Sequence, residues 1–130
     1  MSTRSGTNRK RGQKASIALS VKRMRAAYDK RDALVRRLGY VSYQGYLRSA
    51  MWAQIRRVVI NGFTLCHFCS RLASQVHHGE YTLRNLSGKS LRGLYPVCDA
   101  CHEAGEYTTN GRKLSPVDAT RRMRMLARSL

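Results

Sequence analysis

The sequence predicts an α+β fold, a small zinc-stapled core with flanking helices and basic extensions. Three observations lead there. Four cysteines form two C-x-x-C pairs, Cys66/Cys69 and Cys98/Cys101, separated by 28 residues. Short β-like pieces lie from Phe63 to Tyr95, around and between the pairs, whereas the flanking segments repeat apolar residues at helical spacing. Charge divides the chain in the same way. The whole carries +18, but residues 66–107 hold four basic and four acidic side chains and are neutral.

Taken in order, residues 1–14 (MSTRSGTNRKRGQK) are polar, basic and rich in Gly and Ser, which predicts a disordered arm. They contain no apolar stretch of the kind a secretory signal needs. Residues 15–42 form a basic N-terminal helical segment. Ile17, Val21, Met24, Tyr28 and Val35 recur at roughly helical spacing, and Gly39 is the expected stop. Residues 43–107 form the zinc-binding domain. It opens with a helix from Tyr43 to Ile60 whose stripe is Leu47, Met51, Trp52, Ile55, Val58 and Val59. Asn61-Gly62 should end that helix, with Gly62 in the left-handed cap conformation. Thr64–His67 and Gln75–His78 read as β-like, and Ser87-Gly88 as a loop. A short helix should start near Cys98 and carry Cys101 and His102. Residues 108–130 form a basic C-terminal helix with Ser115 as cap, Pro116 at the first helical position and Asp118 in the first turn. There Met123, Leu126 and Leu130 can face the protein, while Arg121, Arg122, Arg124 and Arg128 supply charge.

The chain has 130 residues, enough for one small domain whose modest core benefits from a metal. No apolar run is long enough to span a membrane. A cytoplasmic, reducing compartment is the default, and there paired C-x-x-C motifs favour zinc over disulfides. The basic charge sits at the two ends. Residues 1–40 hold twelve Lys/Arg and two Asp, a net of +10; residues 41–65 add +3 and residues 108–130 add +5. Such arms match polyphosphate partners, because neutralising phosphates releases counterions. Attachment to a membrane surface would want an apolar face or a lipid as well, and the first fourteen residues supply neither. The candidate nucleic-acid contacts are Arg4, Arg9, Lys10, Arg11, Lys14, Lys22, Arg23, Arg25, Arg56, Arg57, Arg121, Arg122 and Arg124.

Each cysteine pair can sit on a tight knuckle that aims two sulfurs at one point. Two knuckles complete the tetrahedral thiolate site that structural zinc prefers. A redox dithiol and an iron–sulfur cluster are the competing readings. A redox C-x-x-C works as one pair, so a second matching pair argues against it. His67 and His102 each adjoin a cysteine and are the candidates to replace one. Of the other histidines, His77 and His78 stand side by side after Val76 in a β-like piece, where alternation points them to opposite faces. A single histidine is more often structural than catalytic; three near one zinc staple shift that balance.

CHFC, then QVHHGEY, then LYPVCDACH resembles the HNH endonuclease motif in its zinc-knuckle form. The lead-in YLRSAMWAQIRRVVINGFTLCHFC, Tyr46 to Cys69, is also similar to the family's preceding helix. The resemblance covers about residues 43–107. It implies a ββα-metal core, two strands and a helix around a catalytic divalent ion, with zinc holding the knuckles. It assigns His77 and His102 to that ion and His78 to the general base of phosphodiester hydrolysis. The ion would be Mg²⁺, Mn²⁺, Ni²⁺ or Zn²⁺. Two neutral histidines without an acid hold Mg²⁺ poorly, and Glu80 is a candidate to help. The motif's middle position, usually Asn or another polar residue that ties the loop and orients the base, falls on Gly93, while Asn85 stands eight residues out of place.

Two functions follow. One is an HNH-type, metal-dependent endonuclease acting on DNA. The other is a non-catalytic zinc-binding module that binds RNA, as in a ribosome-associated protein. A sequence-specific DNA-binding regulator lacks a recognisable reading helix.

Overall fold

The computed structural model describes the backbone of residues 2–129 and the side chains of residues 9–129. The elements run α1 (Ser2–Arg37), α2 (Tyr43–Leu47), α3 (Ala50–Gly62), β1 (Gln75–His78), α4 (Leu83–Leu86), β2 (Leu94–Val97), α5 (Asp99–Glu106) and α6 (Pro116–Ala127). The architecture is α+β, as the residue pattern predicts. β1 and β2 pair antiparallel, with Gln75 opposite Val97 and His78 opposite Leu94.

Helix α1 is longer than expected. It runs back to Ser2 in place of a disordered arm followed by a helix from Ala15. Arg, Lys and Gln are good helix formers, and Gly6 and Gly12 cost only about 1 kcal/mol each against extension of a helix anchored downstream. Side chains 9–19 are all exposed, and docking starts at Ser20. Arg112 Nη1 donates to Ser20 Oγ at 2.8 Å, Arg23 pairs with Asp118 at 3.0 Å, and the Tyr28 hydroxyl donates to the Leu114 carbonyl at 2.9 Å. Val35 is fully buried, and the helix ends before Gly39, whose φ is +96°.

The helix expected over 43–60 is two helices. Ser49 splits it: its hydroxyl accepts from Trp52 N and caps α3, and it also donates to the Tyr46 carbonyl at 2.6 Å. A serine that satisfies the backbone with its own side chain competes with the helical ladder. Gly62 does not take the left-handed conformation. It is the last residue of α3, and Phe63 N closes the turn on Val59 O. Thr64–His67 is not a strand. Only Leu65 makes a bridge, to Leu72, because Cys66 opens a turn in which Ser70 N bonds Cys66 O and Cys66 N bonds Arg71 O. The partner of β1 is instead β2. It contains Pro96, a residue tolerated because both strands of a two-stranded sheet are edges. Pro96 O accepts from His67 N at 2.8 Å and so docks the first knuckle on the sheet.

Two apolar clusters result. Val35, Tyr46, Trp52, Ile55, Val59, Val76 and Leu86 pack between the helices and the sheet. Tyr46 also donates its buried hydroxyl to Leu86 O at 2.8 Å, a bond worth about 1 kcal/mol net. Val97, Leu114, Ala119 and Met123 pack with the cysteines. Helices α5 and α6 meet where Gly105 leaves room; a Cβ there would strike Met123. Ser115, Pro116 and Asp118 open α6 as expected; Leu126 is half-buried, and Leu130 lies outside the described residues. No described helix is long and apolar enough to cross a membrane.

Candidate metal centre and histidine cavity

The two knuckles converge. Cys66 and Cys69 lie on the turn before β1, and Cys98 caps α5, its sulfur accepting from Cys101 N at 3.4 Å. All four sulfurs lie within 4.8 Å of one another, and Cys69 and Cys98 are 3.6 Å apart. Four sulfurs on bonds of about 2.3 Å around a tetrahedral ion stand about 3.8 Å apart. The four cysteines are therefore placed to hold a metal ion such as zinc. The spacing is far from that of a disulfide, and all four are free thiols. Burial opposes the Cys66 thiolate, but the N–H groups of Cys69, Cys98 and Phe68 outweigh it and bring the thiol down to about 7. Burial pushes Cys69 and Cys101 up. A bound dication replaces those protons. Neither neighbouring histidine joins the sulfurs: His67 is exposed against Phe68 and Tyr95, and His102 turns to Glu106.

A second group forms where β1 faces α5. The ligand atoms of His77, His102 and Glu106 lie within 4.8 Å of one another. His102 and Glu106 are one turn apart on α5, with Nε2 and Oε1 2.9 Å apart. The hydroxyl of Thr120 donates to the Pro116 carbonyl at 2.7 Å. Its oxygen also stands 2.8 Å from His77 Nε2; with the hydroxyl proton on Pro116 it accepts from that nitrogen, which puts the lone pair of His77 on Nδ1. Burial pushes the His77 ring down to about 4. Burial also opposes the Glu106 carboxylate, but the hydrogen bond from His102 and the nearby charges of His102, Lys113 and His77 together outweigh it and hold Glu106 below its ordinary range.

His78 alternates away from His77. It stacks on Trp52 with ring centres 4.8 Å apart, and its Nδ1 lies 3.3 Å from the Tyr43 hydroxyl. Its Nε2 is buried with no partner among the described residues. Burial, then the proximity of His77 and Arg31, push it down to about 3, so the ring is neutral at pH 7. The three histidines line one cavity of about 330 Å³, walled also by Tyr28, Arg56 and Lys113.

The loop between the strands is tied by Asn85, not by the residue at position 93. Asn85 is fully buried. Its Nδ2 donates to Glu80 O at 2.9 Å and Arg92 O at 3.3 Å, and its Oδ1 accepts from Thr82 N at 3.1 Å. Gly93 has φ +83°, and a Cβ there would meet the Glu80 side chain and Asn85 Nδ2. The glycine is what lets the asparagine close the loop. Glu80 is exposed on that side and does not reach the histidines; Glu106 is the acid that does.

The basic residues scatter more than the charge count suggests. Arg9, Lys10, Arg11 and Lys14 are exposed along the undocked part of α1, and Lys22 and Arg25 follow beyond Ser20; the side chain of Arg4 lies outside the described residues. Arg23 is paired with Asp118, Arg56 donates to Ser74 O, and Arg122 Nε donates to Ala104 O at 3.0 Å. Arg57, Arg121 and Arg124 are exposed.

Glu106 had a readable signal, four residues after His102 on a helix. Thr120 had none, since 43 residues separate it from His77. Comparison with models of protein families, with curated proteins and with solved structures finds no match.

Proposed function

We propose that the chain is an HNH-type, metal-dependent endonuclease that hydrolyses phosphodiester bonds of nucleic acid. The observation that supports this most is the convergence of His77, His102 and Glu106 beside the neutral His78 in one cavity. Two imidazoles and one carboxylate suit Mn²⁺, Ni²⁺ or Zn²⁺ better than Mg²⁺. His77 Nδ1, His102 Nε2 and the Glu106 carboxylate would hold such an ion, which supplies Lewis-acid stabilisation of charge on the phosphate and the leaving oxygen. The protein's own part is acid–base chemistry and orientation. His78 would accept a proton from the attacking water, whose own acidity a bound ion would raise to offset the weak basicity that burial gives the ring. Tyr43 and Trp52 set its ring plane. Thr120 fixes the tautomer of His77. Asn85, rather than the residue at position 93, ties the loop as the family's middle side chain does. Zinc on the four cysteines staples β2 and α5 to the first knuckle.

The second reading is a non-catalytic, zinc-stapled RNA-binding protein. The burial of His78 Nε2 favours it, because a base must meet water. Plasmid nicking with Mg²⁺, Mn²⁺, Ni²⁺ and Zn²⁺ separates the two. Relaxed circles that need an added ion and the His78 ring support the nuclease; RNA binding without cleavage under any ion supports the second.

A further inference from the structure

We propose that a crevice behind the histidine cavity, between the β1–β2 loop and α6, is a separate binding site for a backbone phosphodiester of nucleic acid. Arg92 enters it from the loop, and Arg121 and Arg124 enter it from α6. Gly79 and Gly93 also line it, and its volume is about 380 Å³. A Cβ on Gly79 would hit the Tyr95 ring, so that part of the wall is bare backbone by necessity.

Three features make this more than a basic surface. The first is unanswered charge. Glu80 is the one acid that lines the crevice, and it pairs with no cation among the described residues. Asp118 already binds Arg23 at 3.0 Å and stands 3.9 Å from Arg121. Arg92 and Arg124 have no acidic partner among the described residues. The second is preorganisation. The main chain of Arg92 is held on both sides, its N–H by Ser90 Oγ at 3.2 Å and its carbonyl by Asn85 Nδ2, while its side chain stays exposed. Arg124 lies over the Phe68 ring, 5.9 Å from its centre. A guanidinium carried by the loop and one carried by α6 each offer charged donors to phosphate oxygens. The third is position. Thr120 lines the crevice and also holds His77, so the crevice and the cavity share a wall. The inference rests on the nucleic-acid half of the proposed function and not on cleavage.

Binding of labelled 20-mer duplexes tests it by fluorescence anisotropy, on the full zinc-loaded chain with no second divalent ion, so that nothing is cut. One arm uses DNA and the other RNA. Arg92→Gln/Arg124→Gln is compared with Arg36→Gln/Arg37→Gln, a charge-matched pair at the exposed end of α1. Zinc content and circular dichroism check that both fold. At about 0.1 M salt the crevice pair should lose about tenfold in affinity and lower the salt slope by about 2, whereas the control pair should lose less than about threefold. The arm that shows the larger loss names the nucleic acid. Equal losses in the two pairs, or no binding of either duplex by the wild type, overturn the proposal. A polyglutamate probe that binds as tightly and weakens in parallel also overturns it, in favour of an acidic protein. Failure to nick plasmid leaves this result untouched and bears only on the catalytic reading.

Discussion

Thr120 fixes which nitrogen of His77 is available. Its hydroxyl lies 2.7 Å from the Pro116 carbonyl and 2.8 Å from His77 Nε2; with the proton on the carbonyl, the oxygen accepts from that nitrogen. This bond ties β1 to α6 and orients the ring beside His102 and Glu106. Thr120→Val keeps the shape and removes the acceptor. Affinity for Ni²⁺ at the histidine site should fall about tenfold or more, measured by calorimetry on protein already loaded with zinc. An unchanged affinity would show that the bond does not set the ring.

Asn85→Ala removes three hydrogen bonds from a fully buried side chain and leaves the Glu80 and Arg92 carbonyls unpaired. The expected cost is about 2–4 kcal/mol in denaturant unfolding. Gly93→Asn, which would place the family's residue at its usual position, should destabilise as well. Position 93 has φ +83°, and a Cβ there meets the Glu80 side chain. Equal or greater stability of the Gly93 variant would contradict this account of the loop.

Cys98 both supplies a sulfur and caps α5. Elemental analysis should find one tightly bound zinc per chain, and Cys98→Ser should release it and melt the centre. Protein purified without chelator that is folded and zinc-free would refute the staple.

The buried histidines make stability depend on pH. His77 and His78 hold about 4 and about 3 in the fold, against about 6.5 in the unfolded chain. Between those values the unfolded chain binds more protons, so protonation favours unfolding. Stability is full above about pH 6.5 and is lost as pH falls through about 4 for His77 and about 3 for His78. His78→Gln should flatten part of that slope, read from chemical unfolding with zinc bound and no second ion. Parallel slopes in the two proteins would place the proton uptake elsewhere.

Much of this was legible because it is local. The knuckle spacing predicts the sulfur cluster, and Ser115-Pro116 predicts the start of α6. The His77-His78 alternation holds, yet both rings still reach one cavity, because Trp52 and Tyr43 wall the far side of the strand. What was missed depends on tertiary contact or on one side chain overriding a periodic pattern. Ser49 broke a continuous apolar stripe. β2 carries a proline and reads poorly as a strand until its partner is known. Asn85 ties the loop from within a capping box with Thr82, a place that motif counting skips. Glu80 was the nearer acid in sequence, but the loop turns it away, whereas the helix turn brings Glu106 to His102.

His78 is proposed as the base of a metal-dependent cleavage. Single-turnover nicking of supercoiled plasmid with Mn²⁺ or Ni²⁺ measures it directly, with wild type beside His78→Ala and with zinc content and DNA affinity checked in both. The prediction is ion-dependent cutting by the wild type and a loss of about 10²–10⁴-fold in rate in the variant, with zinc and binding nearly unchanged. A variant that cuts at the wild-type rate, or a wild type that cuts with no ion tried, would contradict it.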